Sequence, residues 1–98
     1  MEVYAKLSKC GKHVLLAACD EELLGKTLKD GKIVFKVGKE FYEGSKMPVD
    51  EAIELMAEST VVNLVGANIV NKAIEQGMVH PEAVLNICGV PHAQIVRM

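Results

Sequence analysis

Apolar and polar positions alternate at the start of the chain. Val3, Ala5 and Leu7 interleave with Tyr4, Lys6 and Ser8, the period of two shown by a half-buried strand. A turn follows at Cys10-Gly11-Lys12, and the next apolar segment, residues 14–18, is unbroken. A continuous run belongs to a strand covered on both faces, so the pair predicts a hairpin whose second strand is central. Asp20-Glu21-Glu22-Leu23-Leu24 reads as one helical turn, with Asp20 as N-cap and Gly25 as its stop. Alternation returns over residues 32–37, with Ile33, Phe35 and Val37 on one face and Lys32 and Lys36 on the other. Residues 38–47 form a polar connection that Phe41 and Tyr42 anchor to the core.

The period changes after Pro48. Val49, Ala52, Ile53, Met56 and Ala57 recur at helical spacing, opposite Asp50, Glu51, Glu54 and Glu58. Pro48 and Asp50 mark the helix start. Residues 67–76 predict a second helix, closed by Gly77 with Pro81 beyond. Residues 60–65 satisfy two readings, since their β-branched content favours a strand and their position favours a continued helix. Residues 83–88 and 93–98 predict two short strands joined by Gly89-Val90-Pro91. The expected fold is one α+β domain over residues 1–98, a mainly antiparallel sheet of four or five strands with two main helices on one face. The last strand is placed at an edge, through which a homodimer would form.

Composition narrows the setting. At 98 residues, half of them apolar, the chain has room for one core and needs neither a disulfide nor a metal to fold. No apolar run reaches the roughly 18 residues that span a bilayer, so no membrane partner is expected. The opening Met1-Glu2-Val3-Tyr4-Ala5-Lys6 has no signal-peptide character. Three cysteines, Cys10, Cys19 and Cys88, are an odd number and suit the reducing cytoplasm. Cys10 and Cys19 would lie at opposite ends of a strand, roughly 20 Å apart, so they are not expected to be bridged. Net charge is −2 but uneven: residues 1–47 hold nine Lys and seven Asp or Glu, and residues 48–98 hold Lys72 and Arg97 against six acids.

Candidate chemistry is then weighed against ordinary explanations. Gly25-Lys26-Thr27 suggests a phosphate loop, but Asp20, Glu21 and Glu22 stand where that loop needs glycine and positive potential. Cys10-x2-His13 and Cys88-x3-His92 make a weak four-ligand zinc set, since such spacings arise by chance; no metal and no cofactor are expected. A Cys88–His92 nucleophile pair lacks a third, orienting group. Gly89-Val90-Pro91-His92-Ala93-Gln94 is the strongest binding candidate, a rigid loop with His92 and Gln94 on one face. Asn63, Asn68 and Asn71 are unusual in an apolar neighbourhood; Asn68 is read as a helix N-cap.

These motifs together resemble archaeal domain of unknown function family 424. The resemblance rests on Cys10-Gly11, residues 14–26, Phe41-Tyr42, Asn63-Leu64-Val65-Gly66 and residues 89–94. It implies an archaeal cytoplasmic protein and carries over no activity and no functional residue. Cys88 stands where the family pattern has Gly, which weakens a zinc site there. Two functional expectations follow from the residues. The first is a non-enzymatic module that works with RNA or a protein of the information-processing machinery, supported by Lys6, Lys9, Lys12, Lys26, Lys29, Lys32, Lys36 and Lys39. The second is a small-molecule-binding protein or enzyme with a pocket near His92, Gln94 and Asn63, against which stands the lack of a complete catalytic constellation.

Overall fold

The computed structural model describes residues 1–97; Met98, the end of the last predicted strand, lies outside the described residues. The first half contains β1 (Glu2–Cys10), β2 (His13–Asp20), a 3₁₀ turn (Glu21–Leu23), β3 (Thr27–Asp30), β4 (Ile33–Lys36), α1 (Lys39–Tyr42) and β5 (Ser45–Pro48). The second half contains α2 (Val49–Met56), β6 (Val61–Val65), α3 (Ala67–Glu75), a 3₁₀ turn (Pro81–Ala83), β7 (Leu85–Ile87) and β8 (Val90–Val96).

β1 and β2 pair antiparallel from Val3↔Asp20 to Cys10↔His13, the hairpin that the opening alternation predicts. The apolar run of β2 is central, as its uninterrupted character requires: Leu16 and Ala18 face one core, Ala17 and Cys19 the other. Its second neighbour is β6, which runs parallel to it. Of the ambiguous residues 60–65, Val61–Val65 are thereby resolved as strand and Thr60 lies just before it. Val62 and Leu64 face one core and Val65 the other, a two-sided cover that suits β-branched residues.

The full order is β5-β1-β2-β6-β8-β7. The sheet is mainly antiparallel, as expected, but the four or five strands expected are corrected to six, and the β2–β6 pair makes it mixed. A parallel pair needs a long crossover, and residues 21–60 supply it. β5 and α1 fall in the stretch read as a polar connection. Both main helices pack on one face, as expected. There Ala52, Met56, Ile69, Val70 and Ala73 meet Val3, Leu16, Val62, Leu64 and Ala93.

The opposite face corrects a second expectation. The strand predicted over residues 32–37 is not in the main sheet. Among the described residues β4 pairs with β3 alone, as a separate two-stranded hairpin. With the Glu21–Leu23 turn and α1, that hairpin covers a second core of Ala17, Cys19, Leu23, Val37, Tyr42 and Val65. Phe35 and its cross-strand partner Leu28 pack against this core, but Ile33, predicted on the same face, is 57% exposed because it lies beside the hairpin tip. The result is three layers: helices, sheet and hairpin. Among the described residues no helix is long and apolar enough to cross a membrane.

Candidate functional site

The sheet face away from the helices is arranged in rows across the strands. Tyr4, Cys19, Val65 and His92 align in one row; Lys6, Ala17, Asn63 and Gln94 in the next; Ser8, Leu15, Val61 and Val96 in the third. The hairpin layer closes over the first row and leaves the third open, with Val96 65% exposed. The middle row is the boundary. There the Tyr42 hydroxyl donates to Asn63 Oδ1 at 2.6 Å. This bond accounts for an amide in an apolar neighbourhood, because a half-buried carbonyl without a partner is costly. Burial raises the Tyr42 hydroxyl above its ordinary value, with Cys19 adding to the effect, so it remains a donor. Gln94 lies directly beside Asn63 on the neighbouring strand and is exposed.

His92 is not presented by a loop. β8 already begins at Val90, and the turn is Cys88-Gly89 rather than Gly89-Val90-Pro91. Its ring packs against Phe35 of the hairpin, with centroids 5.0 Å apart and planes tilted by 55°. Nε2 is buried and finds no hydrogen-bond partner among the described residues. Burial lowers its pKa, so the ring is neutral at physiological pH. His92 thus fastens the hairpin to the sheet. The expected trio is brought together in part: Asn63 and Gln94 are adjacent, His92 is one row away, and two of the three are engaged in packing or hydrogen bonding within the fold.

Cys88 and Gly89 have φ of 54° and 79°, the two left-handed residues that a type I′ hairpin turn requires. Cys88 is the non-glycine residue with positive φ among the described ones, and its thiol donates to the Lys29 carbonyl on the hairpin. A β-carbon in that conformation costs about 1 kcal/mol. Cys88→Gly is expected to stabilise the protein by up to about 1 kcal/mol, less whatever the thiol contact contributes. Urea denaturation checks the sign.

The four-ligand zinc set does not assemble. Cys10 and His13 face each other at the tip of the β1–β2 hairpin, where His13 Nδ1 lies 3.4 Å from Thr60 Oγ1. His92 pairs with Val65 at the other end of β6, about 13 Å along the strand, with Cys88 in the turn beyond. Among the described residues no three His, Cys, Asp or Glu side chains converge. Cys19 is fully buried. Desolvation, reinforced by Asp20 and Glu22, pushes its thiol up to about 12, so it is no nucleophile at neutral pH.

Asp20 carries a role that its neighbours in sequence do not indicate. It makes no cap bond to the Glu21–Leu23 turn. Its carboxylate instead accepts the backbone N–H groups of Asn68 at 2.8 Å and Ile69 at 3.0 Å, capping α3 from the end of β2. Asn68 is therefore not the cap predicted for this helix but one of the capped residues, and Asn71 is exposed on α3. Since the partners are 48 and 49 positions apart, no local signal marks the pairing.

The lysines divide into groups. Lys6 donates to the Glu40 carbonyl, and Lys9 and Lys12 lie toward the β1–β2 tip. Lys26, Lys29, Lys32, Lys36 and Lys39 belong to the β3–β4 hairpin and its two ends, all exposed. With Leu28 and Phe35 turned inward, Thr27, Lys29, Val34 and Lys36 share the outward face. Lys32 sits in the turn. Residues 26–39 hold five Lys and one acid, Asp30, a balance of +4; the rest of the chain therefore carries −6. The ion pairs among the described residues involve Lys46 with Glu21 and Lys72 with Asp50 and Glu75, none of them a hairpin lysine. A shallow cavity of about 380 Å³ lies at the hairpin base, lined by Gly25, Lys36, Gly38, Lys39 and Glu40.

No curated protein matches the chain. A crystal structure described as an uncharacterized conserved protein from Methanopyrus kandleri is similar, with a TM-score of 0.85 and 27% identity over 100% of this chain and 95% of that one. A family model described as "Protein of unknown function (DUF424)" matches residues 8–98, and the chain belongs to that family, the one its sequence motifs resemble.

Proposed function

We propose that the protein is a non-enzymatic binding module whose β3–β4 hairpin holds the phosphate backbone of RNA. The observation that carries this reading is the concentration of charge: +4 within residues 26–39 of a chain whose net charge is −2. Lys29 and Lys36 stand on the outward hairpin face, Lys32 at its tip and Lys26 and Lys39 at its base. Without carboxylate partners, such lysines release counterions on meeting a polyanion. The acidic remainder would repel the same polyanion and so confine contact to the hairpin. Exposed Ile33 and Val34 add apolar surface, but the hairpin's one aromatic, Phe35, is turned inward. Contact would therefore be to phosphate and sugar rather than to stacked bases.

The small-molecule reading is less well supported. Asn63 Oδ1 is taken by Tyr42, and His92 is packed on Phe35. Fluorescence anisotropy with an unstructured labelled RNA tests the proposal across a salt series. Four phosphate contacts predict a slope of log K against log salt of about −3 for a single strand. The double substitution Lys29→Glu with Lys36→Glu is expected to lower affinity at least about tenfold at low salt, with circular dichroism unchanged. Absence of wild-type binding at low salt would overturn the reading.

A further inference from the structure

The expected edge strand is an edge over only part of its length. In an antiparallel strand the N–H and C=O of one residue point to the same side, and the side alternates along the chain. Two bonds set the phase in β8. The Pro91 carbonyl accepts from Gly66 N–H at 2.9 Å, and Arg97 N–H donates to the Thr60 carbonyl at 2.7 Å, both on the β6 side. Pro91, Ala93, Ile95 and Arg97 therefore turn their backbone groups to β6, and Val90, His92, Gln94 and Val96 turn theirs outward. β7 takes Val90 and His92, and its register ends at Leu85↔His92. Gln94 and Val96 are left with four backbone groups that have no strand partner among the described residues.

We infer that a second copy of this chain fills that edge, β8 against β8 antiparallel, with Gln94 opposite Val96 of the second copy and Ile95 on the twofold axis. This register satisfies all four groups at once, because Gln94 and Val96 exchange both bonds in each of the two equivalent pairs. A register centred on Gln94 would set Val96 against His92, whose outward groups β7 already holds. The side chains also suit self-pairing. Gln94 and Val96 are uncharged, and Arg97 falls opposite Ala93. Half-buried Ile95, at the margin of the helix-side core, meets its own copy in a close non-hydrogen-bonded pair. Residues 94–96 contain no lysine and no proline, two of the devices by which proteins blunt a free edge.

Directly opposed residues of an antiparallel pair share a face, so the two lysine hairpins would stand on the same side of a twelve-stranded sheet. The pairing itself does not depend on RNA binding.

Analytical ultracentrifugation of the full chain without RNA, over about 1 μM to 1 mM, tests the inference; so short an interface belongs among weak ones. The expected result is a concentration-dependent doubling of mass. Val96→Pro removes an outward N–H that β6 does not use and is expected to abolish the doubling, whereas Val96→Ala keeps the N–H and the dimer. Hydrogen exchange supplies a measurement that needs no variant: the Gln94 and Val96 amides should gain protection with concentration. A monomer throughout, a dimer that survives Val96→Pro in folded protein, or amide protection independent of concentration would each overturn it.

Discussion

Gly66→Ala is expected to destabilise the protein by about 4 kcal/mol or more, a fall in Tm of about 20 °C for a domain of this size. Two independent costs combine. Gly66 has φ of 120° and ψ of 148°, a region that glycine alone enters without a penalty of about 1–3 kcal/mol. A β-carbon there would also meet the carboxyl group and β-carbon of Asp20 well inside contact distance. Asp20 cannot simply move aside, because its two oxygens hold the first amides of α3. Thermal denaturation followed by circular dichroism measures the loss. A Tm within a few degrees of wild type would show that the β6–α3 junction relaxes without displacing the cap.

The second large effect concerns the other partner. Asp20→Ala is expected to cost about 3 kcal/mol in mildly acid solution, combining a lost N-cap with two amides left without acceptors. Asp20 is 1% exposed, so water does not readily replace the carboxylate. The pH dependence has a definite sign. Burial, outweighing the two amide bonds, raises the Asp20 carboxyl above its ordinary 3.8. The folded protein therefore holds this proton to higher pH than the unfolded chain does. The corresponding stability is complete below the unfolded pKa and is lost as pH rises through the folded one. The difference between wild type and Asp20→Ala should narrow as pH rises from about 4 toward neutrality. Urea denaturation at a series of pH values checks both magnitude and slope. A gap that widens with pH would mean that the amide bonds, not burial, control the carboxyl group.

The candidate site was legible in fragments. Asn63 is marked by an amide in an apolar neighbourhood and Gln94 by its place beside His92 after Gly89 and Pro91, yet the adjacency of Asn63 and Gln94 depends on β6 lying beside β8. The Tyr42 hydroxyl that binds Asn63 comes from a segment read only as an anchored connection. Lys32 and Lys36 were visible as exposed positions of an alternating strand, but their gathering with Lys26, Lys29 and Lys39 required β3, a strand of four residues too short to announce itself. Gly89 and Pro91 predict a loop at His92. The turn instead closes one residue earlier, where Cys88 accepts a left-handed conformation.

What the sequence determined by itself was the local physics. The first hairpin, the central character of residues 14–18 and the two amphipathic helices all follow from burial periodicity within single segments. Tertiary structure decided whatever joins distant segments: β2 parallel to β6, the β3–β4 hairpin lifted off the sheet as a third layer, Asp20 capping α3, and β8 changing from interior to edge strand at Ala93. The reason is physical. A periodicity reports which face of a segment is buried, whereas strand order and a cap supplied from 48 residues away depend on which buried faces find one another.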